Sequence, residues 1–315
     1  MVGFGCNPRA YPGLVRRLLQ ATALAILSAA LLVSCGDDDD VTEDPQAVLE
    51  DASTALAGVS SGDLDAALSL DISADELSQG ESVRLQGPFV RNAAEAPQLQ
   101  FTVTLSQQIG DASLSPTEFT LSASGGAATL QVGDQTYEVA PGVVRRFEQL
   151  TTAPQTTGGE SGTQTALDLS DWFIDPSNEG TEDIGGTEVD HISGPADLEQ
   201  IAADLSPFVE GLGLDATSEL DGLGKSLDEA EIDLYVGTED QVPRRGELAL
   251  RWSDRLEGGE PFDGAIDVSI DLSEIDQPQE ITTPEGAQPL RQESIDKLPA
   301  QLSGLGEFLA GAPAS

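Results

Sequence analysis

Leu99, Phe101, Val103 and Leu105 alternate with Gln100, Thr102, Thr104 and Ser106. A period of two places the apolar side chains on one face of an extended strand and the polar ones on the other. The pattern recurs at Leu64, Ala66, Leu68, Leu70 and Ile72, at Phe119, Leu121 and Ala123, and at Ala128, Leu130 and Val132. Tyr137 and Val139 continue it after a Gly133-Asp134 turn. A second series follows: Ile232, Leu234 and Val236, then Leu248, Leu250 and Trp252 after Pro243, then Ile266, Val268, Ile270 and Leu272 opposite Asp267, Ser269 and Asp271. Repeated alternation predicts antiparallel strands with one buried and one wet face.

Helical periods separate the two series. Asp44-Pro45 is a helix start, with Asp44 as N-cap, and Val48, Leu49, Ala52 and Leu56 share a face before Gly58. Pro141 to Leu150 reads as helix through Val143, Val144, Phe147 and Leu150, residues 152–165 as a low-complexity loop, and Leu167 to Phe173 as a short helix. After Gly194-Pro195, the residues Leu198, Ile201, Ala202, Leu205, Phe208 and Val209 follow helical spacing. Ile295, Leu298, Leu302, Leu305 and Leu309 form a last amphipathic helical stripe within residues 291–315, weakened by Pro299, Gly304 and Gly306. The order helix, strands, helices, strands predicts an α+β fold: a single curved antiparallel sheet with helices packed on one face.

The N-terminus carries a different signal. Arg9, Arg16 and Arg17 precede a run from Leu18 to Val33 that is apolar except for Gln20, Thr22 and Ser28. A basic region followed by a short apolar one is the layout of a secretory signal, since a spanning helix needs about 20 apolar residues. Leu32-Val33-Ser34-Cys35 resembles the bacterial lipobox, which makes residues 1–34 a lipoprotein signal peptide and Cys35 the lipidated residue. Cys6 leaves with the signal, so Cys35 stands alone in the mature chain and no internal disulfide can form. Residues 35–44, with four consecutive aspartates from Asp37, then form a self-repelling tether between a membrane anchor and the folded part.

Acidity narrows the partners. The chain has 14 Lys and Arg against 56 Asp and Glu, a formal net charge of −42. Nucleic acid is excluded as a partner, because phosphate binding rests on Lys and Arg. Attraction to anionic headgroups is disfavoured for the same reason. Only Lys225 and Lys297 are lysines, a bias that fits a high-salt habitat or a skewed genome composition equally.

No catalytic or cofactor motif emerges. His191 is the sole histidine, and Val189-Asp190-His191-Ile192 reads as strand, so a sheet histidine outweighs a catalytic base. Gly58-Val59-Ser60-Ser61-Gly62 matches the nucleophile-elbow pattern, but it lies between a helix and a strand where the elbow needs strand before helix. Carboxylates are too numerous to single out a pair, and the expectation is no enzyme, no metal and no cofactor.

Trp172-Phe173-Ile174-Asp175-Pro176, Glu179-Gly180-Thr181-Glu182, Gly185-Gly186-Thr187-Glu188 and His191-Ile192-Ser193-Gly194 before a helix resemble the middle of the LppX/LprG-type lipoproteins. A strand at 230–236, Pro243 before the next strand, and Ile281-Thr282-Thr283-Pro284 extend the match over residues 45–290. That resemblance implies a LolA/LolB-like half-barrel with helices on its concave face, enclosing an apolar cavity. It also implies a lipid or lipoglycan ligand and no catalytic residues. The cavity would lie between the sheet and the helices Asp44–Ala57 and Ala196–Glu210. By facing, its lining would be Phe101, Val103, Phe119, Leu198, Leu205, Leu234 and Leu248. Three functions compete: an anchored extracytoplasmic lipid carrier or sensor on the outer face of the cell membrane; a non-enzymatic envelope scaffold with a filled core that offers the 295–309 stripe to a protein partner; and, with little to support it, an exported hydrolase dependent on His191.

Overall fold

A computed structural model describes residues 44–74, 77–92, 95–110, 112–145, 168–211, 227–255, 261–284, 286–299, 302, 306 and 309–310. The leader, Cys35, the acidic tether, the 152–165 loop and the second half of the Pro141–Leu150 helix lie outside them; residues 141–145 are helical.

Helix α1 spans Pro45–Gly58, and the Asp44 carboxylate caps it by accepting from the Gln46 N–H at 3.1 Å. The first strand series is β1 (Ser61–Ala74), β2 (Leu77–Asn92), β3 (Glu95–Ile109), β4 (Ala112–Ser113), β5 (Thr117–Ser124), β6 (Ala127–Val132) and β7 (Gln135–Glu138). A 3-10 helix at Leu169–Trp172 leads into β8 (Ser177–Ile184), β9 (Thr187–Pro195) and helix α2 (Leu198–Gly211). Then come β10 (Leu227–Gly237), β11 (Pro243–Arg255), β12 (Pro261–Ser273), β13 (Gln288–Pro289) and a short helix α3 (Gln292–Ile295).

All the strands belong to one sheet, in the order β13-β7-β6-β5-β3-β2-β1-β12-β11-β10-β9-β8, with β4 paired to β3. It is curved and not closed into a barrel. Every pairing along it is antiparallel except β13 with β7. The seam between the two series is the long pairing of β1 with β12, in which Leu64 faces Leu272 and Leu68 faces Val268.

Sheet dominates this fold more than the sequence reading expects. Strands β2, β4, β8 and β13 add to the predicted ones. The last predicted helix is interrupted: α3 ends at Ile295, turns follow it, with Leu298 N–H donating to the Ile295 carbonyl and Leu302 N–H to that of Pro299, and the described residues 306 and 309 are helical again. Pro299 lacks the N–H that a continuing helix needs. The helical pieces α1, the 3-10 turn and α2 gather against β9 and β10.

Candidate ligand-binding face

Alternation gives the sheet an apolar face and a polar one; two large apolar clusters, with Leu56 packed against both, and a small third one of Leu70 and Trp252 lie on the first. One joins Leu64, Val83, Leu85, Phe89, Leu99, Phe101, Val103, Phe119, Leu130 and Tyr137 from β1 to β7 with Leu290, Ile295, Leu298, Leu302 and Leu309 of the C-terminal segment. The other packs Val48, Leu49 and Ala52 of α1 and Ile201 of α2 on Ile192, Ile232, Leu234 and Val236 of β9 and β10. Polar contacts lock that helical layer. The Ser53 hydroxyl donates to the Leu49 carbonyl at 2.7 Å and accepts from the Leu169 N–H at 2.9 Å, joining α1 to the 3-10 turn. The Trp172 indole N–H donates to Asp204 of α2 at 2.8 Å.

Between the clusters lies the middle of the sheet. On β12 the side chains Ile266, Val268 and Ile270 share the apolar face, and register sets Leu248 of β11 beside Val268. All four are only half-buried, whereas Leu70, Leu68 and Ala66, which face the three β12 residues across β1, are 1–5% exposed. Val268 is packed into neither cluster. Ile266, Val268 and Ile270 thus form a half-buried aliphatic strip about 13 Å long at ~3.3 Å per residue, which ends at Leu272, 9% exposed in the first cluster, with Ile270 and Leu248 packed against the margins of the first and second. The same face carries a carboxylate: Asp190, in register with Val236, is 6% exposed, and its Oδ2 has no hydrogen-bond partner among the described residues.

The sequence-predicted lining residues divide between these regions. Phe101, Val103 and Phe119 are 1–4% exposed in the first cluster, covered by the chain's own C-terminal segment. Leu234 is buried in the second, and Leu198, Leu205 and Leu248 are half-buried against it. Of the 295–309 stripe, expected as a partner-binding face, Ile295, Leu298, Leu302 and Leu309 are turned inward, with Leu302 0% exposed. Its leucines find apolar partners on the sheet, which favours burial over display. Sequence reasoning missed the strip on β12; its residues were legible as a strand face, but their partial exposure depends on which strands end up central.

The opposite face is a lattice of cross-strand ion pairs. Arg84 bonds Asp65, Arg245 reaches Asp271 at 2.6 Å and Arg251 reaches Asp267 at 2.5 Å. His191 belongs here, its Nε2 2.8 Å from Asp233 and its Nδ1 3.3 Å from Glu182, with the ring stacked on Tyr235 at 4.3 Å between centroids. No serine contact to His191 is present among the described residues, and the imidazole is held as a structural cross-strand partner. The Gly58–Gly62 pentapeptide closes α1 and opens β1, and the Ser60 hydroxyl donates to Asp276 at 2.7 Å.

No family model matches the chain, and no curated protein matches it. Among solved structures it is similar to LprF from Mycobacterium bovis, with 15% identity over 79% of this chain and 100% of that one, at a TM-score of 0.41. It is also similar to the lipoprotein LppX from Mycobacterium tuberculosis, with 12% identity over 76% of this chain and 98% of that one, at a TM-score of 0.38.

Proposed function

We propose that this protein is an exported lipoprotein, held by acyl chains on Cys35 at the outer face of the cell membrane, that binds and carries a lipid-like ligand. The ligand's acyl chain lies on the concave face of the sheet, between it and the helices, along Ile266, Val268, Ile270 and Leu248. The half-buried strip near the centre of the sheet is the observation that supports this reading most. It is aliphatic, and its length suits a fatty chain; each buried CH₂ contributes about 0.8 kcal/mol. Leu198, Leu205 and Leu234 line the helical side of the site, and Asp190 offers an acceptor to a hydroxyl on the ligand. The reading assigns no reaction to the protein.

A second reading is favoured by a different observation. The first cluster is filled by the chain itself, as a non-enzymatic envelope scaffold with a complete core would be. Native mass spectrometry of residues 36–315, gently purified, separates the two. The carrier reading expects a stoichiometric adduct that organic extraction releases as an acylated species. A clean ligand-free mass, unchanged after incubation with host membrane extract, sinks it and leaves the scaffold.

A further inference from the structure

Strands β2 and β3 carry an exception to the alternation that defines the sheet. On the apolar face β2 presents Val83, Leu85 and Phe89, and β3 presents Leu99, Phe101, Val103 and Leu105. Toward the Leu77 end of β2, three neighbouring positions of that face are polar: Gln79, Glu81 and Gln107. Register sets Glu81 opposite Gln107 and Gln79 opposite Ile109 on one side, and opposite Leu70 and Ile72 of β1 on the other. Leu114 lies beside Gln107, its N–H donating to the Gln107 carbonyl at 2.9 Å. A strand that merely leaves the core turns polar at its tip. Here the face turns apolar again, at Ile109 and Leu114, which are 53% and 43% exposed. The three polar side chains are therefore an island within apolar surface.

Hydrogen bonds hold the island together. The Gln107 and Gln79 side-chain amides both donate to Glu81 Oε1, at 2.7 and 3.3 Å. Glu81 Oε2 has no partner among the described residues and is left as an acceptor. Glu81 and Gln107 are half-buried and Gln79 is exposed, so a ligand can reach them. No Lys or Arg pairs with Glu81 among the described residues. Of the β2 arginines, Arg84 bonds Asp65 on the opposite face, and Arg91 reaches the Ala57 carbonyl at the other end of the strand.

We propose that Gln79, Glu81 and Gln107 are the head-group site of the carried lipid, and that they select an uncharged, hydroxyl-bearing head over an anionic one. This rests on the carrier reading and gives the ligand a direction. Glu81 faces Leu70, and Leu70 faces Ile266 at the start of the strip, so the head lies two strand spacings, about 10 Å, from where the chain begins its run toward Leu272. Asp190 stands at the opposite end, in the row of Val236 and Pro243, and serves a hydroxyl borne farther along the ligand. A hydroxyl donates to the free Glu81 oxygen, and bonds to a charged acceptor are the stronger kind. A phosphate or carboxylate head brings a like charge against Glu81, with no cation beside it to offset the repulsion.

The test titrates the full chain, in native mass spectrometry, with 1-palmitoylglycerol, palmitate and palmitoyl-lysophosphatidate, which set one chain on three heads. The unaltered protein should bind the glyceride at least about tenfold more tightly than either anion. Glu81→Gln keeps the shape and removes the charge at a half-buried position, so Tm should hold while the preference shrinks to about threefold or less. Equal affinity of the unaltered chain for all three heads overturns the head-group site and leaves the carrier standing. So does a preference that Glu81→Gln leaves intact. If none of the three binds, the carrier reading falls, and the head-group site with it.

Discussion

Trp252 of β11 lies flat across Gly264 of β12: a Cβ at position 264 would sit 2.1 Å from Trp252 Cε2 and Cζ2. The two residues are register partners, and the indole, 8% exposed, closes the end of the strip that starts at Ile266. A glycine in a strand ordinarily weakens it. Here the aromatic ring occupies the space a side chain would take, together with Leu70 and the half-buried Ile72, Phe262 and Ile266. Gly264→Ala must therefore push the indole out of place, at about 1–3 kcal/mol. In a double-mutant cycle with Trp252→Leu, most of that cost should vanish, because the clash is the coupling. Additive effects on urea unfolding would show that the close approach carries no energy.

The helical layer depends on one hydroxyl. Ser53 sits 7% exposed between the Leu49 carbonyl and the Leu169 N–H. Ser53→Ala leaves the Leu169 N–H without this acceptor, a cost of about 1–3 kcal/mol. The loss should be local, so amides of Leu169–Trp172 should exchange faster while those of β1–β3 do not change. Uniform acceleration across the sheet would contradict the division into two clusters.

Two aspartates at one end of the sheet should give opposite pH dependences. Burial works to raise the Asp276 carboxyl, but hydrogen bonds from Ser60 and Ser61 and the charge of Arg91 hold it below its usual 3.8. Its stabilisation is therefore complete above pH 3.8 and is lost as pH falls through the lower folded value. Asp276 has φ 56, which asparagine tolerates, so Asp276→Asn isolates the charge. The Tm gap between wild type and Asp276→Asn should be constant from about pH 5 to 7 and close below about pH 4. Asp63 is the reverse: burial, then Glu274 and Asp65, raise its carboxyl above 3.8. The folded state holds that proton more tightly than the unfolded chain, so stability falls as pH rises from 3.8 through the raised value. Asp63→Asn should stabilise at neutral pH, modestly because solvent screens the site, and the gain should disappear in acid. Arg91, whose burial lowers it to about 10 against the opposing charge of Asp276, also donates to the Ala57 carbonyl at the end of α1, at 3.3 Å.

Most of the sheet was legible because its strands bury one face, and Asp44-Pro45 announced α1. Strand β2 was hidden by its own special residues. Val83, Leu85 and Phe89 do alternate, but Gly87-Pro88 interrupts the run. In the structure β2 and β3 pair at Gln86 with Thr102 and at Phe89 with Leu99, and the ladder skips the glycine and proline between them. Gly87 has φ 145, and a Cβ there would be 2.1 Å from the Gln100 carbonyl oxygen, so no other residue fits. Strand β8 was hidden for the opposite reason: Ser177–Ile184 lies at the sheet edge with mostly exposed side chains, so no apolar period marks it. Which residues form the candidate site depends on β1 meeting β12, a contact between Asp63 and Ser273 that local spacing cannot encode.

Anchoring is tested separately from binding. Cys35→Ser removes the thiol that the lipobox reading acylates, so the protein should move from the membrane fraction to the soluble or uncleaved pool, with its circular dichroism spectrum unchanged. A single acyl chain holds a protein only marginally, so partial retention after loss of one chain would also fit. Full membrane retention of the cleaved Cys35→Ser protein would refute the anchor.

Val268→Glu addresses the strip itself. Val268 is half-buried, is packed into neither cluster, and lies between Leu68 and Leu248 at the centre of the sheet. Because solvent reaches it, a carboxylate there avoids the full burial penalty, and the Tm should move by only about 2–4 °C. A ligand chain laid on the strip would have to desolvate that charge, so the acylated adduct should be lost in native mass spectrometry, with affinity down at least about tenfold. Val268→Leu, which keeps the surface apolar, should retain the adduct. An adduct that survives Val268→Glu intact would place the ligand elsewhere, over the helices or against the first cluster.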